Sequence, residues 1–454
     1  MKLLGIYIYD YLQFKDFEID FTYPKSHPKA GKPLEKICFI GRNGTGKTNL
    51  LNIIQSNIHE FYAPKGGAGI VYKIEVNEKR FYLIKRNSLL SYLFYDGIDT
   101  ILDWKRTLFE DFSSDVTKFI AKNDASSFVV NDDVITQRLS FKKDSGDLLI
   151  YISSEGNQNL YSQIDDVPDT SLNEALKLFN SFDYHHTIST DTIKNFWNIL
   201  TYQIKKREND LREFEKLEAN LDKTVREVQA LFDEKNPKIL DELAILWNKI
   251  LSKANLEFDS KNASNPIQLN DNLKAYINLK GENRRIGYNQ LSSGIRNFIF
   301  TLGHVYSLYF NREVKNGFLL IDEPENNLYP DFLYDLIETY LKIIKETQLF
   351  VATHSPIIAA QFEPYERIIL DFNEDGSVYW RNGETPIGDD PNDLLSKDFS
   401  VRSLLGKEGV KKWERYIELK LTIPSVVDKE QKSKLLDEFI QIGNAYNFSS
   451  DEVS

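Results

Sequence analysis

Residues Ile37-Cys-Phe-Ile-Gly-Arg-Asn-Gly-Thr-Gly-Lys-Thr-Asn49 decide the fold. Four consecutive apolar residues, Ile37 to Ile40, suit a strand buried on both faces. The glycines at 41, 44 and 46 that follow let a tight loop bring bare backbone amides up to a ligand. Behind the loop, Leu50, Leu51, Ile53, Ile54 and Ile58 recur at helical spacing. Gly41, Gly46, Lys47 and Thr48 satisfy G-x-x-x-x-G-K-S/T. In that pattern the loop amides and helix N-terminus hold phosphates, Lys47 reaches the β and γ oxygens, and the Thr48 hydroxyl ligates Mg²⁺. An ordinary Gly-rich turn would leave the flanking strand and helix unexplained.

At 454 residues the chain has room for about two to three structural units. It is 41% apolar, yet no run of about 18 apolar residues is present to span a bilayer. The N-terminus, Met-Lys-Leu-Leu-Gly-Ile-Tyr-Ile-Tyr-Asp, alternates like a strand and lacks the continuous apolar core of a signal peptide. The one cysteine, Cys38, falls inside the expected core strand, so neither a disulfide nor a cysteine metal site forms within one chain. A cytoplasmic protein is expected. A net charge of -12 argues against a dedicated nucleic-acid coat but leaves a local basic groove open, because binding depends on the field at one face.

Residues 1 to 22 read as two strands, and Tyr23 to Lys36, with three prolines, as a surface loop, either functional or simply solvated. Val71–Val76 and Arg80–Arg86 alternate on either side of an Asn77-Glu78 turn, as in an antiparallel meander. The pattern from about 98 to 190 is mixed and aromatic, and is read as a variable insertion. From Asp191 to Phe258 the chain is expected to be helical. Phe214, Leu217, Leu221, Val225, Val228 and Phe232 step by threes and fours until Asn236-Pro237, and a second helix begins at Leu240. This region is either an amphipathic pair packed on its own domain or a projecting hairpin. The working division is 1–97, 98–270, 271–385 and a helical tail from 386 to 454.

Three further stretches complete the set. Gly317-Phe-Leu-Leu-Ile-Asp-Glu-Pro324 reads as a buried strand ending in two carboxylates: Asp322 to hold the Mg²⁺ shell, Glu323 to orient or deprotonate the attacking water. Gln348-Leu-Phe-Val-Ala-Thr-His-Ser-Pro356 is a third strand, ending at His354, which can sense the γ-phosphate and the water. Leu291-Ser-Ser-Gly-Ile-Arg296 precedes an expected helix, Asn297 to Leu308. Taken alone, Leu-Ser-Ser-Gly is also a common helix cap. The remaining histidines, His27, His59, His185, His186 and His304, have no such setting and are read as structural or surface residues.

Gly41–Asn49, Leu291–Arg296, Leu319–Glu323 and Thr353–Pro356 together resemble the ABC-type ATPase heads of the RecF, SMC and OLD group. The resemblance covers roughly residues 1–60 and 285–370. It implies an α/β P-loop NTPase fold: an ABC-type ATPase head with an antiparallel β subdomain and an inserted helical, short coiled-coil region. It also implies an ATPase using ATP and Mg²⁺, with Asn43, Gly44, Thr45 and Asn49 joining Gly41, Gly46, Lys47 and Thr48 around the nucleotide. Metal contacts would fall to Thr48 and Asp322, and catalysis to Glu323, His354 and Lys47. In that family Ser292 and Gly294 cap a helix facing the γ-phosphate held by a second subunit, which implies a head-to-tail homodimer or higher homo-oligomer. Ile295 replaces the family's usual glutamine, and Asn327 and Tyr329 its usual histidines in the segment Pro324–Pro330. OLD-type nucleases carry a Toprim domain after the ATPase, whose separated acidic strand ends are missing from the stretch after His354, so no nuclease is expected in this chain. By size and layout the chain resembles restriction-system-associated defence ATPases such as the ATPase subunits of Septu and PARIS, which implies control of a separately encoded effector, such as a nuclease, in bacterial anti-phage defence. A RecF-like DNA-binding repair ATPase and a scaffold that ATP merely stabilises are the alternatives.

Overall fold

A computed structural model describes residues 1–59, 69–86, 90–95, 141, 146–154, 184–188, 193–259, 277–282, 284–286, 290–310, 314, 316–344, 346–401 and 403–448. Most of the stretch read as mixed between 98 and 190 lies outside them. The chain divides into two compact units, Met1–Gly388 and Asp389–Ser454.

Among the described residues of the first unit, an antiparallel sheet runs in the order β2 (Phe14–Asp20), β1 (Lys2–Tyr11), β4 (Gly69–Val76), β5 (Lys79–Arg86), β6 (Leu90–Tyr95). The β4–β5 turn places Asn77 and Glu78 at φ 52 and 63, the twist that a two-residue hairpin requires. A seven-stranded sheet has the order β15 (Val378–Asn382), β14 (Arg367–Phe372), β3 (Lys36–Gly41), β13 (Gln348–Thr353), β12 (Asn316–Asp322), β7 (Asp147–Ile152), β8 (His185–Ile188). Its strands are parallel except for β15. Covered on both faces, its inner strands are apolar runs rather than alternating: Ile37, Cys38, Phe39 and Ile40 are all at 0% exposure. Phe350 packs within 5.6 to 6.3 Å of the rings of Phe21, Phe39 and Phe318, joining the two sheets into one core. Short strands β9 (Leu256–Phe258), β10 (Ile277–Leu279) and β11 (Arg285–Ile286) make a third sheet.

Two strands of the central sheet, β7 and β8, come from the span assigned to the insertion. Asp147-Leu-Leu-Ile-Tyr-Ile152 is the apolar run of a doubly covered strand, set among residues without period and so masked by them. The loop Tyr23–Lys36 leaves the opposite end of β3 from Gly41, roughly 17 Å away at the rise of a strand. It is held by bonds such as Tyr23 N to Lys32 O at 2.9 Å and Gly31 N to Tyr23 O at 3.0 Å.

The helical stretch differs from its periodic reading. After α1 (Lys47–His59), helix α2 (Ile193–Glu215) ends early, and α3 (Val225–Lys235) starts anew at a capping box, in which Thr224 and Glu227 bond each other's backbone amides. Leu217, Leu221 and Val225, expected on one buried stripe, are 52%, 67% and 77% exposed. The chain turns back instead, setting the Phe214 and Phe232 rings 5.5 Å apart, and both α2 and α4 (Ile239–Leu251) pack on α5 (Ser293–Tyr309). Lys249 and Lys253 at the end of α4 reach Asp335 at 3.3 and 2.6 Å. Completing the unit are α6 (Pro330–Leu333), α7 (Leu336–Ile343) and α8 (Pro356–Ala359).

The second unit contains α9 (Pro391–Lys397), α10 (Lys407–Thr422) and α11 (Lys429–Tyr446). Tyr416 stacks on Phe439 at 4.3 Å, and Arg415 holds Glu438 through two bonds of 2.9 Å. Among the described residues, no helix is long and apolar enough to cross a membrane.

Candidate nucleotide site

Parallel strands end on one edge, and here that edge gathers the sequence motifs. Across β3, β13, β12 and β7 the register sets Ile40 opposite Thr353, Ala352 opposite Asp322, and Ile321 opposite Ile152. The loop after Gly41, the acidic pair after Ile321, the Thr353-His354 step and Ser153-Ser154 therefore share one rim, where α/β sheets bind ligands.

The loop is held from beneath. Thr45, fully buried, donates its hydroxyl to Arg42 O at 2.8 Å, so this side chain props the loop from within. Lys47 donates to Gly41 O at 2.8 Å, while Asn43 and Gly44 are exposed at the crest. Gly46 has φ +93, a backbone conformation that other residues adopt only with strain, and a Cβ there would also meet Gln13 Nε2 at 2.1 Å and Phe14 Cζ at 2.5 Å. Gln13 in the β1–β2 turn braces the loop: its Nε2 donates to Gly44 O at 3.2 Å and its Oε1 accepts from Asn49 Nδ2 at 3.5 Å.

Thr48 Oγ1 lies 2.9 and 3.1 Å from the two Asp322 carboxylate oxygens. Burial pushes the Asp322 carboxyl up, against hydrogen bonds from Thr48 and Ser154 that pull it down. Thr48, Asp322 and Ser154 form an all-oxygen donor set, suited to a hard cation such as Mg²⁺. No group of three His, Cys, Asp or Glu among the described residues could cage a metal. A cation at this rim would draw its remaining ligands from phosphate and water, the usual habit of Mg²⁺.

Glu323 sits at φ 49, unusual for a non-glycine residue, and is held there by its amide bonding Ala352 O at 2.8 Å and by Asn326 Nδ2 donating to its Oε2 at 2.9 Å. Its Oε1 faces His354 Nε2 at 3.7 Å. Burial and the Lys47 ammonium lower the His354 pKa, so the imidazole is neutral at pH 7. Lys47 is itself lowered by burial, against the pull of Glu323, Asp322 and Glu325. Glu325 accepts from Thr353 Oγ1 at 2.7 Å and from the His354 amide at 2.6 Å, and desolvation raises its carboxyl.

Ser292 and Gly294 stand apart from this group. Helix α5 begins at Ser293, earlier than the expected Asn297, because Ser292 is its N-cap, Oγ accepting from Ile295 N at 3.4 Å. Among the described residues no hydrogen bond joins Ser292 to the loop around Lys47. Gly294 packs against the segment after Glu323: a Cβ there would sit 1.8 Å from Asn327 O. Gln13, Ser154, Glu325 and Asn326 carried no site role in the sequence reading. Glu325 and Asn326 adjoin a motif and were within reach; Gln13 and Ser154 come from strand ends that only the folded sheet brings to the rim.

The family model described as AAA ATPase domain matches residues 1–359. Among solved structures the chain is similar to the SMC head domain from Thermotoga maritima, at 12% identity and TM-score 0.40, over 85% of this chain and 100% of that one. It is also similar to an Smc head bound to the C-winged helix domain of ScpA, at 11% identity and TM-score 0.37, over 84% and 98%. A third, the Smc head domain with an extended coiled coil bound to the C-terminal domain of ScpA derived from Pyrococcus furiosus, has 11% identity and TM-score 0.37, over 84% and 96%. No curated protein matches the chain. With its sheet order and phosphate loop, the fold is a mixed α/β P-loop NTPase with an antiparallel β subdomain.

Proposed function

The chain belongs to the AAA ATPase domain family, and from that premise we propose that it hydrolyses Mg²⁺-ATP at a site completed by a second copy of itself. The observation that carries the reading is the convergence of Lys47, the Thr48–Asp322 contact at 2.9 Å and the Glu323–His354 pair at 3.7 Å on one rim. Loop amides and Lys47 hold the β and γ phosphates, and Thr48 and Asp322 hold Mg²⁺, which when bound supplies charge neutralisation on those phosphates. Glu323 takes the proton of the attacking water as the β–γ anhydride bond breaks, giving ADP and phosphate. Neutral His354 orients the γ-phosphate. Ser292 and the N-terminus of α5 serve the triphosphate of the partner copy, which their solvent-facing position supports.

Glu323→Gln tests this. The variant should bind ATP, hydrolyse it on the order of 10²-fold or more slowly, and accumulate as ATP-dependent dimers in sedimentation. Unaltered turnover together with no ATP-dependent association would overturn the composite site.

The wider role follows the resemblance to restriction-system-associated ATPases: opening and closing of the ATP-bound assembly controls a separately encoded effector, such as a nuclease, in the cytoplasm. Co-purification with an effector encoded alongside, dependent on ATP, is the expected result. Salt-sensitive binding to duplex DNA by the protein alone would favour the repair ATPase instead.

A further inference from the structure

Phe372 closes β14 at the same rim as the phosphate loop, two residues beyond Leu370, which stands opposite Gly41. It lies against the loop crest: a Cβ placed on Gly44 would come 3.7 Å from Phe372 Cζ. Phenylalanine is usually covered, yet this one is 39% exposed, and Leu12, next to Gln13 in the β1–β2 turn, is 60% exposed. The surroundings are bonded to one another. Val378, the partner of Phe372 across the hairpin, donates its amide to Gln13 O at 3.0 Å, tying β15 to the turn that braces the loop. The hairpin turn is closed by Asn373 N to Ser377 O at 2.8 Å and Ser377 N to Asp375 Oδ1 at 2.9 Å, and Arg42 lies 4.0 Å from Asp371. The Gln13 amide is turned to the loop itself, bonding Gly44 and Asn49.

An aromatic face held beside a cradle for phosphates matches one ligand chemistry: a flat heterocycle joined through a sugar to a phosphate chain. We propose that Phe372 is the base platform of the nucleotide site, gripping the purine of a nucleoside triphosphate by its face. The proposal rests on the phosphate-loop reading above and adds how the base is held. Because every purine has the same face, the platform does not separate ATP from GTP.

Calorimetric titration of the full chain with Mg²⁺-ATP, Mg²⁺-GTP and Mg²⁺-tripolyphosphate tests it. Phe372→Ala should weaken ATP and GTP alike, by roughly 5- to 30-fold for a lost aromatic stack, and leave tripolyphosphate unchanged. Phe372→Trp keeps a ring there, so it should retain ATP affinity, and its indole emission should be quenched by ATP but not by tripolyphosphate; this holds even if the alanine variant does not fold. Undiminished ATP binding in Phe372→Ala, equal losses for ATP and tripolyphosphate, or no ATP-specific quenching would overturn the platform alone. A wild-type chain that binds neither ATP nor tripolyphosphate would overturn the nucleotide site and the platform with it.

Discussion

The carboxylate of Glu325 accepts the backbone amide of His354 at 2.6 Å, so a residue of the segment after β12 fixes the end of β13. Its second oxygen takes the Thr353 hydroxyl at 2.7 Å. Glu325→Ala leaves both donors without their acceptor, which should destabilise the protein by about 2–4 kcal/mol and loosen His354. Glu325→Gln keeps one acceptor oxygen and should cost about 1 kcal/mol. Thermal melting of the two variants decides; an alanine variant that melts with the wild type would show that this bond does not position the strand end.

Gly294 is required by a neighbour in its own chain, independently of any ligand. Its Cβ would meet Asn327 O at 1.8 Å, a backbone atom that cannot swing aside. Gly294→Ala should therefore push α5 away from the segment that Asn326 joins to Glu323, at a cost of about 1–3 kcal/mol. ATP affinity at the Lys47 loop should persist while hydrolysis falls. Ser292→Ala, which removes only the helix cap, should cost about 1 kcal/mol. A Gly294→Ala variant of wild-type stability would mean that the close approach relaxes freely.

His354 titrates below its ordinary 6.5, because burial and Lys47 both disfavour its protonated form. The sign follows from linkage: the unfolded chain takes up this proton first as pH falls, so the contribution of neutral His354 is complete above about 6.5 and is lost as pH drops through the lower folded value. ATP turnover should be level above neutrality with an acid limb whose midpoint lies below 6.5. His354→Gln cannot titrate, and should turn over more slowly with that limb absent. An unchanged limb in the variant would assign it to another group.

The strands that build the rim are legible in the sequence because their apolar runs are unambiguous. Ile37–Ile40, Phe318–Ile321 and Leu349–Ala352 are continuous apolar runs, and each ends in a polar motif whose spacing limits its chemistry. Legibility fails between Phe214 and Phe232 for an instructive reason. The three-four spacing of apolar residues runs through Thr224-x-x-Glu227, a capping box, which is a local start signal that ends any helix running into it. Leu221→Lys should accordingly be neutral within about 0.5 kcal/mol, whereas Phe232→Ala, at 2% exposure, should cost about 3–5 kcal/mol. Equal and large losses in denaturant titrations would restore the continuous stripe. Gln13, Ser154 and Phe372 were illegible in kind: each is an unremarkable strand-end residue until distant strands align.

Gln348 offers the sharpest stability test, since the sequence marks it only as the start of a strand. At 0% exposure its Oε1 accepts from Leu3 N at 2.9 Å, and its Nε2 donates to Leu3 O at 2.9 Å and Leu34 O at 2.8 Å, stitching β1 to the central sheet. One acceptor and two donors on a single side chain is what a carboxamide alone supplies. Gln348→Leu fills the space but strands three buried backbone groups, and should cost roughly 3–5 kcal/mol. Gln348→Glu is worse at pH 7, because an ionised carboxylate would face two carbonyl oxygens. Burial would raise its pKa, so the folded form binds a proton that the unfolded chain has already released. Stability of that variant relative to wild type should recover as the pH is lowered towards 5, where the protonated acid regains one donor. If Gln348→Leu unfolds at the wild-type denaturant midpoint, the stitch is not what joins the two sheets.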